Sequence, residues 1–352
     1  MKVINKEIIK EDGGSLSVFY RYIHGHDGEI PFFEACRYGN ETIIKYLVEQ
    51  GADINKKYNL NDETLLFDFC KEEYKSMIKY LVEHGTDINE RNHHGETPLF
   101  QACCNENEAM AKFLVELGAD INKGNHHGET PLVKVCRRGN EAIVRCLVDH
   151  RADVNKENGN GETPLFEVCR CGNEVMVKYL VDHGVDVNKR NYSGETSLFE
   201  ACRSKNEAIV KYLVEHGADI NKEIGQERNK EDDGSLSFSS VYILVHDGET
   251  LLFEACRTGN EAIIKYLVEQ GANINKENRN GETPFFQACR SGNEANIKYL
   301  VKNGTDVNKG NIYGETPLSQ IYSSRNETII KYLVEYGADI NKRNFYSEKL
   351  LI

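Results

Sequence analysis

Apolar and polar positions recur along this chain in a block that repeats almost from end to end. In the block over residues 161–193, Val175, Val177, Leu180 and Val181 are spaced for one face of a helix. The first position of the block, which is glycine in every copy but one, recurs at steps of 33 or 34 residues, apart from one step of 54. The recurring positions are Gly28, Asp62, Gly95, Gly128, Gly161, Gly194, Gly248, Gly281 and Gly314. A fixed period of this length indicates repeats that bury their apolar faces by stacking on one another.

Each block predicts two short helices. Thr163 is the expected N-cap of the first helix, over 164–171, because its hydroxyl can accept from a free N–H and a proline follows it. A glycine turn leads to Asn173, the expected cap of a second helix over 174–183. Gly184 is suited to the left-handed conformation that ends a helix.

The blocks resemble the ankyrin repeat. Gly-Glu-Thr-Pro-Leu at 161–165 and Glu-His-Gly-Ala-Asp-Ile-Asn at 215–221 are similar to the two signatures of that family. The resemblance implies an all-α fold, an ankyrin-repeat solenoid of helix-turn-helix units joined by hairpin loops. One departure is systematic: where the family usually has histidine, this chain has phenylalanine, and we expect added apolar packing there. The phenylalanines are Phe33, Phe67, Phe100, Phe166, Phe199, Phe253 and Phe286.

The spacing also predicts where the repeats begin and end. We expect a partial repeat tail with an insertion-like segment over 1–27, repeats one to six over 28–224, a loop insertion over 225–247, repeats seven to nine over 248–346, and the start of an incomplete repeat over 347–352. Both ends resemble parts of repeats, which leaves open a fragment of a longer array or ends that fray.

The insertion is a duplicated segment. Lys-Glu-Asp-Gly-Gly-Ser-Leu-Ser at 10–17 returns as Lys-Glu-Asp-Asp-Gly-Ser-Leu-Ser at 230–237, and an aromatic and β-branched stretch follows both copies. Because such apolar groups are costly to leave in water, they either cover a neighbouring helix or protrude to contact a partner.

Charge excludes some partner classes. The formal net charge of −13 argues against phosphate backbones and anionic membrane surfaces. The start of the chain has no apolar run typical of a signal peptide, and the apolar stretches are too short to cross a bilayer. We therefore expect neither nucleic acid nor membrane among the partners.

Eight of the eleven cysteines share one slot of the first helix. They are Cys36, Cys70, Cys103, Cys136, Cys169, Cys202, Cys256 and Cys289. Helices pack ~8–10 Å apart, whereas a disulfide needs Cα atoms within ~4.4–6.8 Å. We expect reduced thiols, and therefore an intracellular, cytoplasmic protein. We also expect it to be monomeric.

Comparison of the repeats leaves no residue pattern that is typical of a catalytic site. The chain lacks Gly-x-Ser-x-Gly, Gly-x-x-x-x-Gly-Lys and His-Glu-x-x-His, and its recurring Cys, His and Glu belong to columns of the repeat. We expect no enzyme activity and no cofactor. Histidine pairs in equivalent turns could in principle hold a metal, but exposed turn residues are the simpler interpretation, and we predict no metal site.

Positions that vary within the constant repeat are the candidate partner-binding residues. The family resemblance implies contact through the hairpin tips and the concave first-helix face. Bases, nearly all of them arginine, recur on that helix, and most have an acid three residues earlier, so they either pair locally or contact a partner. Lys134 with Arg137 and Arg138 forms a basic break where that acid is missing. The candidates are His93, His94, His126, His127, Lys134, Arg137, Tyr192, Arg279, Ile312 and Tyr313.

The resemblance implies a non-enzymatic scaffold that binds one or more partner proteins. The alternative function is that of a substrate adaptor, which delivers a bound protein to an enzyme such as a ubiquitin ligase. An adaptor needs a docking segment, for which the insertion and the two tails are the candidates.

Overall fold

The computed structural model describes residues 40–57, 59–225, 246–322 and 326–342. In these ranges the chain is helical, with an isolated bridge between Arg190 and Thr196 and no strand. The all-α fold predicted from the sequence is confirmed. The predicted segments 1–27 and 347–352, nearly all of the insertion, and the column members Phe33 and Cys36 lie outside the described residues.

The chain divides into two compact units, residues 1–126 and 127–352. The first contains α1 (Glu41–Glu49), α2 (Leu65–Lys71), α3 (Lys75–Glu83), α4 (Pro98–Cys104) and α5 (Glu108–Glu116). The second contains α6 (Pro131–Arg138), α7 (Glu141–Asp149), α8 (Pro164–Cys171), α9 (Glu174–Asp182), α10 (Ser197–Arg203), α11 (Glu207–Glu215), α12 (Leu251–Thr258), α13 (Glu261–Glu269), α14 (Pro284–Ser291), α15 (Glu294–Lys302), α16 (Pro317–Tyr322) and α17 (Glu327–Glu335).

Corresponding helices of successive repeats pack against one another. In the second unit the first helices of successive repeats, α6, α8, α10, α12, α14 and α16, pack in series, and the second helices α9, α11, α13 and α15 do the same. In the first unit α2 packs on α3 and α4, and α4 packs on α5. The contact between α10 and α12 shows that stacking continues past the insertion predicted at residues 225–247.

Capping residues fix the ends of the helices. The side chain of Asn173 accepts from the backbone N–H of Met176 at the start of α9, and Gly184 beyond its end has φ 82°. Thr163 precedes α8 in extended conformation, as predicted, but its hydroxyl forms no capping hydrogen bond. Thr130 does cap α6, by accepting from Val133. The position of the cap was therefore predictable, although its hydrogen bond differs between repeats.

The core lies between the stacked helices. Phe166 and Cys169 of α8 are completely buried, as expected for their columns. The helical face expected for α9 was partly wrong: Val175 is 51 % exposed, and Met176 is buried in its place. Successive helical residues point about 100° apart, so a shift of one position moves a side chain out of the core.

Candidate functional site

A buried or half-buried asparagine shapes most of the described hairpin loops. The Oδ1 of Asn158 accepts from the backbone N–H groups of Asn160 and Glu162, at 2.9 and 3.0 Å. Its own backbone N–H donates to the carbonyl of Glu162, and Gly161 donates to the carbonyl of Asn158. The same side-chain hydrogen bonds recur at Asn59, Asn92, Asn191, Asn278 and Asn311. These bonds satisfy backbone N–H and carbonyl groups of the turn within the loop itself, so the side chains at the tip are not needed for this and face outward.

Backbone hydrogen bonds join successive tips within each unit. In the second unit Tyr192 donates to the carbonyl of Asn160, and Ile312 donates to that of Asn280, both at 2.9 Å. In the first unit His93 donates to the carbonyl of Asn61 at 2.8 Å. Each tip is therefore held by its own asparagine and by the preceding tip.

Large apolar groups project from these tips. Tyr192 is 53 % exposed, Ile312 54 % and Tyr313 45 %. The ring of Tyr192 lies over Gly161, where a Cβ would come within 2.6 Å of the ring Cδ1. The glycine thus allows the close approach that positions the tyrosine. Arg279 is also exposed and forms an ion pair with Asp247 at 3.1 Å.

The candidate histidines are divided between the two units. In the first unit His93 and His94 are exposed and their rings lie 3.6 Å apart between centroids, tilted by 44°. An open depression of about 500 Å³ lies beside His93 and His126, lined by charged groups that include Asp62 and Lys123. His127, in the second unit, accepts at its carbonyl from the N–H of Gly159. Among the described residues, no group of three or more His, Cys, Asp or Glu is arranged to hold a metal ion.

The first-helix face of the second unit is a network of arginines and buried glutamates. Arg137 lies 2.5 Å from Glu129 and 2.7 Å from Glu167, and Lys134 lies 3.9 Å from Glu129. The hydrogen bond with Glu167 raises the pKa of Arg137 above its usual value, against the opposing effect of burial. The charge excess expected at Lys134 and Arg137 is therefore offset by acids from elsewhere in the repeat and from the next one.

Each of the three guanidinium nitrogens of Arg170 has a carboxylate partner. Its Nη2 donates to Glu162 at 2.7 Å, its Nη1 to Glu167 at 2.8 Å and its Nε to Glu200 at 3.3 Å. Burial opposes the charge of Arg170, but the surrounding carboxylates outweigh it and raise its pKa. Similar ion pairs surround Arg203, Arg257 and Arg290.

The acid three residues before most of these arginines was predicted from the sequence, but the acid eight residues before them was not. That second acid is the glutamate of the Gly-Glu-Thr signature, such as Glu162, which is 9 % exposed. The signal was present in the sequence, because this glutamate directly follows the first position of every block.

Most of the second-helix cations form ion pairs within their own helix, as expected. Arg145 contacts Glu141 one turn earlier at 2.7 Å, and its guanidinium lies 4.5 Å from the ring centroid of Tyr179 in the next repeat. His183 and His216 end their helices, and a ring nitrogen of each lies 2.7 Å from a backbone carbonyl.

Comparisons with known proteins agree with this architecture. A family model described as "Ankyrin repeats (3 copies)" matches residues 32–125, 132–224, 234–311 and 252–344. A second, "Ankyrin repeats (many copies)", matches residues 105–148. None of the curated proteins compared with the chain matches it.

Among solved structures, the chain is similar to the human ASB11 ankyrin repeat domain. The likeness covers 69 % of this chain and 99 % of that one, with a TM-score of 0.57 and 21 % sequence identity. At that identity it concerns the fold alone. In the part of the chain that the structure describes, no helix is both long and apolar enough to cross a membrane.

Proposed function

Since the chain belongs to the ankyrin repeat family, we propose that it is a non-enzymatic scaffold which binds a partner protein through its hairpin tips and its first-helix face. Ankyrin repeats are protein-interaction modules, and the chain matches their models along most of its length. We further propose that it acts as a monomer in the cytoplasm, without a cofactor.

The exposed apolar tips carry this proposal. Tyr192, Ile312 and Tyr313 each expose about half of a large side chain, on backbone that is already hydrogen-bonded. Binding therefore requires little ordering of the loop, which lowers its entropic cost. Tyrosine is among the residue types enriched at the energetic centres of interfaces.

The buried cysteines of the first-helix column give no support to a catalytic role. Cys136, Cys169 and Cys256 are fully buried, and burial raises the pKa of each thiol well above its usual value. A thiolate nucleophile is therefore disfavoured at these positions.

The test is affinity capture from the native cell lysate with the full chain and two variants. In the tip variant Tyr192, Ile312 and Tyr313 are replaced by serine; in the control Val175, which is equally exposed on α9, is replaced by serine. We expect the control to retain the captured proteins and the tip variant to lose at least one. Capture of the same proteins by a folded tip variant would contradict binding through the tips.

The adaptor alternative requires a separate docking segment. Its main candidate, the insertion, lies outside the described residues apart from its ends. Deletion of residues 225–245 in the same capture experiment tests it: loss of one partner only on deletion favours an adaptor, whereas unchanged capture favours a scaffold without a docking insertion.

A further inference from the structure

A cation and a tyrosine pair at each step between successive second helices of the second unit. The cation of one repeat lies 4.5 to 5.8 Å from the centroid of the tyrosine ring of the next repeat. The pairs are Arg145 with Tyr179, Lys178 with Tyr212, Lys211 with Tyr266, Lys265 with Tyr299 and Lys298 with Tyr332. Every one of these rings thus takes its cation from the repeat before it.

An acid one helical turn after the cation binds the hydroxyl of the same tyrosine. The hydroxyl of Tyr179 donates to Asp149 at 2.8 Å. Burial, the charge of Asp182 and a hydrogen bond with it raise the pKa of Tyr212. A cation and an acid on one second helix therefore form a slot for the tyrosine of the helix that packs next to it.

The last described second helix, α17, has the same slot with no ring in it. Lys331 and Glu335 occupy the positions that Arg145 and Asp149 have in α7. The side chain of Lys331 is 76 % exposed, compared with 44 % for that of Arg145. Within the described ranges no aromatic ring lies over Lys331, and Glu335 is exposed.

The apolar surface beside this slot is also uncovered. Val334 is 40 % exposed, whereas Val301, its counterpart in the preceding repeat, is 9 % exposed. Ile330 is half-buried, whereas its counterpart Ile297 is completely buried. The outer face of α17 therefore continues the surface on which the second helices of this chain stack, and exposed apolar groups of this kind mark interaction sites.

We infer that the outer face of α17 docks a helix of a partner protein, with a tyrosine of that helix between Lys331 and Glu335 and apolar side chains on Ile330 and Val334. The occupant follows from the chain itself, since the five internal steps put a tyrosine in this place. Its ring faces the cation and its hydroxyl donates to the acid, so the slot selects tyrosine over an aliphatic residue. This face is separate from the hairpin tips and goes beyond the proposed function.

The test is the binding of a labelled helical peptide to the full-length chain, measured by fluorescence anisotropy. The peptide carries Glu-Ala-Ile-Ile-Lys-Tyr-Leu-Val-Glu, the sequence with which α13 follows α11, within about 20 residues so that it forms a helix. A second peptide has leucine in place of the tyrosine. We expect the chain to bind the tyrosine peptide about threefold more tightly than the leucine peptide.

Three substitutions locate the binding site. Lys331→Gln should weaken the tyrosine peptide about threefold and leave the leucine peptide unchanged, which isolates the pairing of cation and ring. Val334→Asp, at an exposed position, should abolish binding of both peptides. Lys265→Gln is the matched control, because the same slot in repeat seven is already filled by Tyr299. It should change neither affinity.

Absence of binding, binding that survives Val334→Asp, or an equal effect of Lys331→Gln on the two peptides would each overturn the inference. Binding that appears only after deletion of residues 343–352 would overturn it in favour of the chain's own segment. Displacement of the peptide by self-association of the chain would do so in favour of a second copy. The tip variant should bind the peptide normally, so the lysate capture decides the proposed function separately.

Discussion

Arg137 donates a hydrogen bond of 2.7 Å to Glu167, which lies 30 residues further along the chain in the next repeat. Glu167 is completely buried, and its second oxygen accepts from Arg170 of its own helix at 2.8 Å. One carboxylate thus joins the first helices α6 and α8. The recurring arginines consequently belong to the stacking of the repeats as well as to their surface.

Glu167→Gln should destabilise the chain by about 1–3 kcal/mol, because it removes the charge that two arginines share in a buried site while keeping the shape of the side chain. The measurement is the denaturant midpoint at pH 7. Glu141→Gln is the matched control: that exposed glutamate pairs with Arg145 within one helix, and such pairs contribute about 0.3–0.5 kcal/mol. Equal losses of stability from the two substitutions would show that burial of the Glu167 carboxylate does not increase its stabilising effect.

Arg151→Gly should stabilise the second unit by about 1 kcal/mol, since Arg151 adopts φ 69° in a slot that other repeats fill with glycine. Urea denaturation of the two chains measures the difference. The reciprocal change, Gly184→Ala, should destabilise by a similar amount: an added Cβ there meets no atom within 4 Å, so the cost is that of the backbone alone. An unchanged or lower denaturant midpoint for Arg151→Gly would refute the prediction that the left-handed backbone at Arg151 costs stability.

These examples show what could be predicted from the sequence and what could not. The period and the capping residues placed α8 at residues 164–171 without error, since both signals are local. The partners of Arg137 were not predictable in the same way, because Glu167 lies in another repeat and only stacking brings it near. The exposure of Val175 and the burial of Met176 likewise depend on how α9 is rotated against its neighbours.

Cysteine alkylation should separate the exposed Cys171 from the column of buried thiols. Burial raises the pKa of Cys70 and of Cys202 to about 12, so both remain protonated thiols at pH 8 and are also inaccessible. A short iodoacetamide pulse followed by peptide mass spectrometry should label Cys171 well before either. The pKa of Cys171 is itself raised by partial burial and by Glu167, so its rate should be below that of a free thiol. Equal labelling of all three in the folded chain would contradict the stacked core; the urea-unfolded chain is the control for equal reactivity.

Glu249 should make stability depend on pH. Burial tends to raise its pKa, but hydrogen bonds from His246 and Arg257 and the charge of Arg257 outweigh this and hold the pKa below its usual value. The stabilising contribution is therefore present above the ordinary glutamate pKa of about 4.3, and is lost as the pH falls through the lower folded value. Glu249→Gln should thus lower the free energy of unfolding at pH 7 and have a smaller effect near pH 3. An effect of the same size at both pH values would exclude this linkage, and the exposed Glu261→Gln is the control.

Asn296→Ile should stabilise repeat eight. Asn296 lies in α15 in the slot that Ile263 fills in α13, and it is completely buried. Its Nδ2 donates to the carbonyl of Gly259 at 3.0 Å, but among the described residues no donor reaches its Oδ1. A buried oxygen without a hydrogen bond costs about 1–3 kcal/mol, and the Nδ2 of Asn293, 3.4 Å from the Gly259 carbonyl, remains to donate to it after the change. We therefore expect denaturant unfolding to show that Asn296→Ile raises the free energy of unfolding by about 1–2 kcal/mol. The reverse change, Ile263→Asn, should lower it by at least as much.

A lower denaturant midpoint for Asn296→Ile would mean that the single hydrogen bond to Gly259 outweighs the cost of the unpaired oxygen.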